Sequence, residues 1–580
     1  MKTNWLVVLI AMVTVPVFGA GAQAGSLSVT HPPSILKVLP ASGGAGPKAD
    51  TLYISMARGE YEPAQLVVHA GRGPLREVRV SVGKLSGPEE SVLPRERITV
   101  NPLGYINCKA KSHGSRLLKG EGGEVPDVLL PDRPMDVAKG RRQPYFITVR
   151  TLRTDRAGEY RGTVRVSAKG GESKEIPLVV RVYDITLPVK PHLRTVFGLC
   201  TNHRKIRGGR PGQDFDTLMR YSKMMLAHRI SPQVLGSSYE LTGMPPRKLK
   251  NGARDFSSTD RYLSELVPLG LTSFYTHAGA GIRAYAEHLK KKGWHDLAYV
   301  YMYDEAAPDK LPRMLNQYSS MRQQVPDAKI LQVGWNPTKP LEGLVNIWCP
   351  TIDRADTLAL HRARERGEET WWYTWGGPWH PYPTICHMDY AGIYGRITGW
   401  MSYQYQIQGF LYFASDIWDT SKNRAPGGRL SVEEYDRANY ANWEPNTYGK
   451  TSYGAPRNGG GYLLYPGKNN MPVASMRLAH IRDGFEDYDL FKEVEALAAD
   501  AGEAGTYARE LLDFNRPFDN PLIRSRMKWT KQDNFLMRRR EEILMIGEEL
   551  RGPDEPRLQA LRKQTDLEAL YPLPWDEKER

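Results

Sequence analysis

Cysteine is scarce in this chain, which has four in 580 residues: Cys108, Cys200, Cys349 and Cys386. With no C-x-x-C spacing among them, they cannot form a disulfide framework, and we expect buried free thiols or one disulfide. The sequence also lacks an H-E-x-x-H motif, a Cys/His cluster at zinc spacing and a glycine-rich phosphate loop. These absences argue against a metal site and against a doubly wound nucleotide-binding sheet, and we expect no cofactor.

Long apolar runs are missing beyond the first residues. Residues 1–24 combine a positive Lys2, an apolar stretch from Trp5 to Phe18 and the small-x-small pattern Ala22-Gln23-Ala24. This arrangement predicts a signal peptide and export to the periplasm or the outside. No later segment approaches about 20 uninterrupted apolar residues, so we expect no integral membrane segment in the mature chain.

Acidic residues are outnumbered by basic ones, which gives a formal net charge of +14. The basic residues are scattered and no nucleic-acid motif is present, so we expect no nucleic-acid partner. An anionic extracellular substrate such as a sulfated glycan would fit the charge, and so would simple solubility. The 13 Trp and 31 Tyr supply flat rings on which sugars stack, although most are expected to fill cores.

The first part of the mature chain, residues 25–190, alternates apolar and polar residues. Val78, Val80 and Val82 are separated by charged or polar residues, and Gly, Pro and Asp clusters divide such runs. This pattern predicts an antiparallel β-sandwich, which could bind carbohydrate or brace the next domain. The stretch Leu187–Pro191 is the predicted linker.

Residues 191–500 alternate strand-like and helix-like segments. The predicted strands are Thr195–Cys200, Ile230–Leu235, Leu271–Thr276, Leu297–Asp304, Ile330–Trp335, Val345–Cys349, Thr370–Trp375 and Gly409–Ala414. The predicted helices include Phe215–Ala227, Gly281–Lys292, Lys310–Gln324 and Thr357–Arg366. Eight βα units predict a (β/α)₈ TIM-type barrel, and residues 501–580 form a predicted C-terminal helical region. The fold class is therefore multidomain, all-β followed by α/β.

One predicted strand ends in two adjacent carboxylates. The run from Tyr299 to Tyr303 is aromatic and β-branched, and Asp304 and Glu305 follow it directly. Such a strand should be buried, and burial makes neighbouring acids costly unless they have partners or a task. Closely held carboxylates favour protonation of one of them, which is what a general acid needs. We therefore predict Asp304 and Glu305 as catalytic residues at the barrel mouth.

Other strand ends bring aromatic and polar side chains to the same mouth, because the chemistry of such barrels lies at the C-terminal strand ends. Aromatic faces cover the C–H face of a sugar, and carboxylates and amides bind its hydroxyls. The predicted substrate-binding residues are Tyr303, His203, His277, Trp335, Asn336, Trp372, Tyr373, Trp375, Asp416 and Trp418.

Adjacency of the two acids selects a mechanism. Most glycosidases place two carboxyl groups on opposite sides of the sugar, ~5–9.5 Å apart. Two residues that are adjacent in sequence are poorly placed to flank a sugar in this way. Neighbours suit substrate-assisted cleavage, in which the 2-acetamido oxygen of the sugar attacks its own anomeric carbon. One acid then orients the acetamido group while the other protonates the leaving oxygen.

The chain resembles glycoside hydrolase family 123, the exo-acting β-N-acetylgalactosaminidases. The segments that carry the resemblance are Arg58–Gln65, Tyr303–Glu305, Trp371–Thr374, Gly409–Tyr412, Tyr465-Pro466 and Ile481–Tyr488. The family pairs an Asp with the following Glu, so the resemblance implies that Asp304 stabilises the acetamido group and Glu305 is the general acid/base. The chain departs from the family pattern at Ala306, where relatives have Pro, and at Gly460, where a Gly-rich segment replaces an Asp-containing one.

The resemblance implies a retaining exo-glycosidase that releases terminal β-linked N-acetylgalactosamine from a glycan. Two alternatives stay open at this point. The same fold could act on another hexosamine or a sulfated glycan, or the protein could be a non-catalytic glycan-binding relative.

Overall fold

The computed structural model describes residues 27–41, 50–200, 215–235, 242, 246–418, 432–445, 454–516 and 521–552. The predicted signal peptide and His203 lie outside these residues. All four cysteines lie within them, and their thiols are free.

Two β-sheets form the N-terminal part of the described chain. Its strands are β1 (Leu27–Thr30), β2 (Leu52–Arg58), β3 (Tyr61–Ala70), β4 (Leu75–Val82), β5 (Leu85–Ser86), β6 (Val92–Leu93), β7 (Ile98–Cys108), β8 (Gly123–Leu129), β9 (Met135–Val137), β10 (Arg142–Arg150), β11 (Gly158–Ser167) and β12 (Ser173–Thr186). One sheet has the order β1-β3-β10-β7-β8, and the other has the order β2-β12-β11-β4-β9 with β5 and β6 at its side. The predicted β-sandwich is confirmed.

Alternation of side chains decides which residues fill the sandwich core. Val164 and Val166 of β11 pair with Val82 and Val80 of β4, and all four are buried. Arg165 between them is exposed, as period-two geometry requires. One pairing differs from the prediction of a purely antiparallel sandwich, because β2 runs parallel to β12.

Eight parallel strands follow within the described residues. They are β13 (Arg194–Leu199), β14 (Pro232–Val234), β17 (Phe274–Thr276), β18 (Ala298–Tyr301), β19 (Ile330–Val333), β20 (Ile347–Cys349), β21 (Glu369–Thr374) and β22 (Gly409–Tyr412), with a small hairpin, β15 (Arg247–Lys248) and β16 (Arg254–Asp255), between β14 and β17. Their order is β14-β13-β22-β21-β20-β19-β18-β17. Each predicted barrel strand corresponds to one of the eight, and most of the observed strands are shorter.

Hydroxyl groups bridge the remaining seam of this nearly closed barrel, between β14 and β17. The Ser231 and Thr272 hydroxyls are 2.8 Å apart, and the Thr272 amide donates to the Ser231 hydroxyl at 2.9 Å. Thr195 of β13 joins them, since its amide donates to the Thr272 hydroxyl at 3.1 Å. Side chains therefore satisfy strand-end groups that a ladder would otherwise pair.

The helices of the described chain cover the barrel and extend to the C-terminus. They are α1 (Phe215–Ala227), α2 (Ser257–Leu266), α3 (Ile282–Lys292), α4 (Leu311–Gln324), α5 (Thr357–Glu365), α6 (Ile393–Gln404), α7 (Val432–Arg437), α8 (Met476–Leu497), α9 (Gly502–Leu512) and α10 (Asp533–Glu549), and a last hairpin, β23 (Leu464–Pro466) with β24 (Pro472–Ala474), precedes α8. Among the residues described, no helix has the length and apolar character needed to span a bilayer. The segment 187–193 between β12 and β13 has no regular secondary structure, and the domain boundaries stay predictions.

A buried group of charged residues joins the sandwich to the barrel and to α10. We name it the ion cluster; its members are Glu60, Glu62, Arg396, Asp487 and Arg540, all buried. Arg396 donates to Glu62 at 2.9 and 3.1 Å and to Asp487 at 2.7 and 2.9 Å. Arg540 donates to Asp487 at 2.7 Å and also to Glu60. Sandwich, barrel and C-terminal helices therefore share one interior, which favours bracing as the task of the sandwich.

Two of the sequence segments that resemble family 123 meet in this ion cluster. Arg58–Gln65 supplies its glutamates, and Ile481–Tyr488 supplies Asp487. Burial by itself would raise the pKa of Asp487, but Arg396 and Arg540 hold that pKa below its usual range. These segments are therefore structural, because removing either partner of such a buried pair leaves an uncompensated charge.

Candidate active site

The acid pair, Asp304 and Glu305, follows β18 at the C-terminal end of the barrel. The strand itself is buried from Ala298 to Val300, but it ends at Tyr301 and both acids are exposed in the loop beyond. The expectation that the strand continues to Asp304 and buries the acids is wrong. The acids nevertheless lie at the barrel mouth, because the loop that carries them follows the C-terminal end of a parallel barrel strand.

A tyrosine hydroxyl from the barrel interior holds Asp304. Tyr301 Oη donates to Asp304 Oδ1 at 2.6 Å. Burial, followed by the neighbouring Asp304 charge, raises the pKa of Tyr301, so the phenol remains a donor. One carboxylate oxygen is thus engaged, and the orientation of Asp304 is set by a residue on the preceding strand.

A second tyrosine holds Glu305. Tyr373 of β21 donates through Oη to Glu305 Oε1. Burial and then this hydrogen bond raise the pKa of Tyr373, which stays protonated. The loop after Glu305 is fixed as well, because Trp335 Nε1 donates to the Ala306 carbonyl at 2.7 Å. The acid pair is therefore held from three separate strand ends, β18, β19 and β21.

The backbone at Glu305 has an unusual conformation. Its φ of +43° lies in the left-handed region, which a glutamate rarely adopts and which is often found at functional sites. Gly334, with φ of +82°, lies against it: a Cβ at Gly334 would come within 3.0 Å of Glu305 Cα and 3.2 Å of Glu305 Cγ. Glycine at this position therefore leaves the space that the Glu305 backbone occupies.

Alternation along β21 and the Trp375 that follows it divides their aromatic side chains between two layers. Trp371, Tyr373 and Trp375 belong to the barrel-interior cluster. Trp372 is fully buried on the other face, where its indole N–H donates to the Ser402 hydroxyl of α6 at 3.1 Å. Tyr373 and Trp375 are therefore brought to the mouth, whereas the prediction that Trp372 lines it is wrong.

Two residues predicted after the eighth strand are buried instead of lining the mouth. Asp416 has no exposed surface, and its Oδ1 accepts from the Cys200 amide at 2.6 Å, at the end of β13. Trp418 is 2% exposed, and its indole N–H donates to the Leu464 carbonyl at 2.7 Å. Both side chains therefore tie the loop after β22 to other segments: Asp416 to the end of β13, and Trp418 to β23.

The other predicted binding residues divide between mouth and support. His277 is half-buried directly after β17, and Trp335 is half-buried after β19, so both lie at the C-terminal ends of barrel strands. Tyr303 instead packs edge-to-face on Tyr318 of α4, with ring centroids 5.9 Å apart. Asn336 supports a loop: its amide donates to the Arg354 carbonyl at 3.0 Å, and its oxygen accepts from the Asp356 amide at 2.7 Å.

Sequence reasoning missed Tyr301 and Gly334. The signal for Tyr301 was present, since alternation from Tyr299 puts both tyrosines on the inner face. No signal marked Gly334, whose importance depends on a neighbour 29 positions away in the chain. Among the described residues, no group of three or more His, Cys, Asp and Glu side chains could hold a metal ion.

A parallel barrel with two held carboxylates and aromatic side chains at its mouth is an arrangement typical of glycosidases. The sequence profile of the glycoside hydrolase 123 catalytic domain matches residues 198–494, and that of the glycoside hydrolase 123 N-terminal domain matches residues 47–168. The chain therefore belongs to glycoside hydrolase family 123, its substrate is a glycan, and the resemblance seen in the sequence is confirmed.

A solved structure of a family 123 enzyme shares the fold. A family 123 glycoside hydrolase from Clostridium perfringens, studied for glycolipid glycan hydrolysis, has a TM-score of 0.62 at 14% identity, covering 94% of this chain and 100% of that one. A family 39 glycoside hydrolase from Bacteroides cellulosilyticus has a TM-score of 0.30 at 11% identity, covering 75% of this chain and 82% of that one. No curated protein matches this chain.

Proposed function

We propose that the protein is an exported, retaining exo-glycosidase that releases terminal β-linked N-acetylgalactosamine by substrate-assisted catalysis. The observation that carries the proposal is the adjacent acid pair, with each carboxylate held by its own tyrosine. Two neighbouring acids on one loop serve one side of a sugar better than two opposite faces. An acetamido sugar supplies the nucleophile that this arrangement otherwise lacks.

In the first step, Asp304 accepts a hydrogen bond from the acetamido N–H and orients the group. The acetamido oxygen forms a bond to the anomeric carbon while the glycosidic bond breaks, and Glu305 transfers its proton to the leaving oxygen. Asp304 is a carboxylate, so it stabilises the positive charge that develops on the resulting oxazolinium ring. Tyr301 keeps the Asp304 carboxylate oriented throughout this step.

In the second step, water replaces the acetamido oxygen. Glu305, now ionised, takes a proton from the water while the water oxygen bonds to the anomeric carbon and the oxazolinium ring opens. Two inversions at the anomeric carbon give overall retention. Tyr373 donates to Glu305 and keeps its carboxyl group near both the leaving oxygen and the incoming water.

The choice of sugar rests on the family resemblance rather than on contacts. The C. perfringens relative was studied on glycolipid glycans, and a glycolipid or another glycoconjugate with a terminal β-N-acetylhexosamine is the substrate we propose here. Export follows from the apolar N-terminal stretch with its cleavage pattern.

The test is hydrolysis of three aryl β-glycosides: the N-acetylgalactosaminide, its gluco epimer and the galactoside that lacks the acetamido group. We expect the first to be cleaved fastest and the third to be inert. Comparable turnover of the third would exclude the acetamido nucleophile, and preference for the second would change the sugar. No turnover of any would favour a non-catalytic glycan-binding protein.

Substitution of Glu305 tests the acid role separately. In Glu305→Gln the loss should be about 10²–10⁴-fold for poor leaving groups and small for activated aryl groups, which need little protonation. Glu368→Gln is the matched control, because that side chain binds Trp348 and Arg366 away from the mouth. An equal loss for good and poor leaving groups would remove Glu305 from the acid role.

A further inference from the structure

The hairpin of β15 and β16 carries an excess of positive charge. We name residues 247–255 the basic hairpin. Its charged residues are Arg247, Lys248, Lys250, Arg254 and Asp255. The two strands are paired so that Lys248 lies directly opposite Arg254. Like charges placed opposite each other destabilise a pair of strands, and a two-stranded hairpin is only marginally stable by itself. The arrangement is therefore unfavourable unless an anion binds close to it.

The lysines of the basic hairpin are accessible from solution. Lys248 and Lys250 are exposed, and within the described part of the chain neither side chain forms an ion pair or a hydrogen bond. Arg247 is exposed as well, with its guanidinium 3.9 Å from Asp255. Asp255 is engaged at the start of α2, because its Oδ1 accepts from the Ser257 amide at 3.0 Å and from the Ser257 hydroxyl at 2.7 Å. The two ammonium groups are therefore available to an anion.

Contacts with neighbouring loops hold the basic hairpin at the barrel mouth. It follows the C-terminal end of β14, and its Arg254 lies against the loop after β17, since a Cβ at Gly281 would come within 2.8 Å of Arg254 Cζ. Arg254 also donates to the Pro246 carbonyl at 3.3 Å. At the base of the hairpin, the Phe256 ring stacks on His288 of α3 with centroids 4.0 Å apart. Because β17 pairs with β18, the loop that the hairpin contacts is next to the loop of the acid pair.

Charge divides this part of the barrel mouth into two sides. Arg283, exposed in the first turn of α3, adds a further cation two positions after the Gly281 that Arg254 contacts. On the other side, Asp304 of the acid pair is a carboxylate in the proposed reaction and repels an anion. An anionic group of a substrate is therefore attracted to the basic hairpin and kept away from the acid pair.

We propose that the basic hairpin binds the anionic part of the substrate, a glycan that carries sulfate or carboxylate groups beyond the cleaved N-acetylhexosamine. An exo-acting enzyme holds the terminal sugar at the acid pair, and the rest of the glycan leaves the mouth past the neighbouring loops. Lysine ammonium groups act there as mobile point charges, which suits anions at several positions along a chain. This inference rests on the proposed function and adds the class of glycan.

The test compares two oligosaccharides that end in the same β-linked N-acetylgalactosamine, one neutral and one sulfated on the sugars that follow it. The hairpin variant combines Lys248→Gln with Lys250→Gln. Its matched control combines Lys84→Gln with Lys139→Gln, which removes the same charge from exposed positions of the sandwich. In the hairpin variant, kcat/KM for the sulfated substrate relative to the neutral one should fall roughly three- to tenfold at low salt, as expected for two exposed ion pairs. In about 1 M salt, where the Debye length is about 3 Å, the ratios of wild type and variant should coincide.

The outcomes separate the two proposals. If the wild-type protein cleaves neither oligosaccharide, the proposed function fails, and calorimetric binding of the same two compounds still tests the hairpin. A sulfated-to-neutral ratio that is equal in wild type and hairpin variant, in kcat/KM or in binding, overturns the hairpin as the anion site. An equal fall in the sandwich control also overturns it, because the preference then belongs to the net charge of the whole protein. Binding to anionic phospholipid vesicles that is lost in the hairpin variant, without a preference for the sulfated glycan, would make a membrane surface the partner instead. The urea midpoint of each variant shows whether it is folded.

Discussion

Two groups of carboxylates in this chain occupy opposite environments. Asp304 and Glu305 are exposed, and each accepts a hydrogen bond from a neutral tyrosine. The carboxylates of the ion cluster are buried and paired with Arg396 and Arg540. In this comparison the structural acids are buried and the candidate catalytic acids are exposed, the reverse of the usual expectation for perturbed groups. The difference fits the proposed roles, since catalytic acids must reach a substrate.

The largest effect expected from this comparison is on stability. Asp487→Ala leaves Arg396 and Arg540 without their shared carboxylate, and breaking such a buried pair costs about 3–5 kcal/mol. Asp304→Ala should change the free energy of unfolding by about 0.5 kcal/mol or less, as for an exposed residue, while abolishing activity. Urea unfolding of both variants measures this contrast. Similar losses of stability in the two variants would show that the ion cluster and the acid pair do not differ in structural importance.

The next effect concerns the tyrosine that holds Glu305. Tyr373→Phe removes the hydrogen bond that holds Glu305, worth about 1.5–3 kcal/mol in the second step, when Glu305 is ionised, so kcat should fall roughly 10- to 100-fold with KM nearly unchanged. Tyr303→Phe is the matched control, because the Tyr303 hydroxyl is buried without a hydrogen-bond partner and its ring packs on Tyr318. Steady-state kinetics test this prediction. A rise in KM alone for Tyr373→Phe would show that Tyr373 contributes to substrate binding and not to the positioning of Glu305.

A smaller effect is expected at Gly334. In Gly334→Ala the added methyl meets Glu305 Cα, so activity should fall, and the left-handed backbone adds about 1–2 kcal/mol of destabilisation. Gly343→Ala has a similar φ, +75° against +82°, with no atom near the added Cβ. Comparing kcat/KM and urea midpoints in the two variants separates contact with Glu305 from backbone strain; equal activities would show that Gly334 does not position the acid.

The last effect is on the pH dependence of stability. Burial raises the pKa of Glu60 from 4.5 to about 7, against the lowering effect of Arg540. Between these values the folded protein keeps a proton that the unfolded chain releases, so the contribution of Glu60 to the free energy of unfolding falls as pH rises from 5 to 7. The difference in urea midpoint between wild type and Glu60→Gln, measured at pH 5 and at pH 7, isolates the contribution of Glu60. A difference that is constant with pH would contradict the prediction.

Much of the barrel was predictable because its signals are local. Runs of apolar and β-branched residues located all eight strands, and the helix over Phe215–Ala227 was predicted with the observed bounds. The ends of strands were less predictable, as at β18, which stops at Tyr301. A strand ends where its neighbours no longer offer hydrogen-bond partners, and those neighbours come from distant parts of the chain.

The site was predictable as a set of residue types and less so as an arrangement. Adjacency indicated the acid pair, and alternation required that some aromatic residues of β21 point away from the mouth. The burial of Asp416 and Trp418 depended on a loop that folds back, which no local pattern shows.

The sequence by itself determined the order of the βα units, the presence of the acid pair after the fourth strand, and the family. Only the tertiary structure decided which carboxylates are exposed and which are buried, and which tyrosines hold the acid pair. The physical reason is that strand and helix patterns arise from neighbouring residues, whereas burial and hydrogen-bond partners arise from packing between segments far apart in the chain.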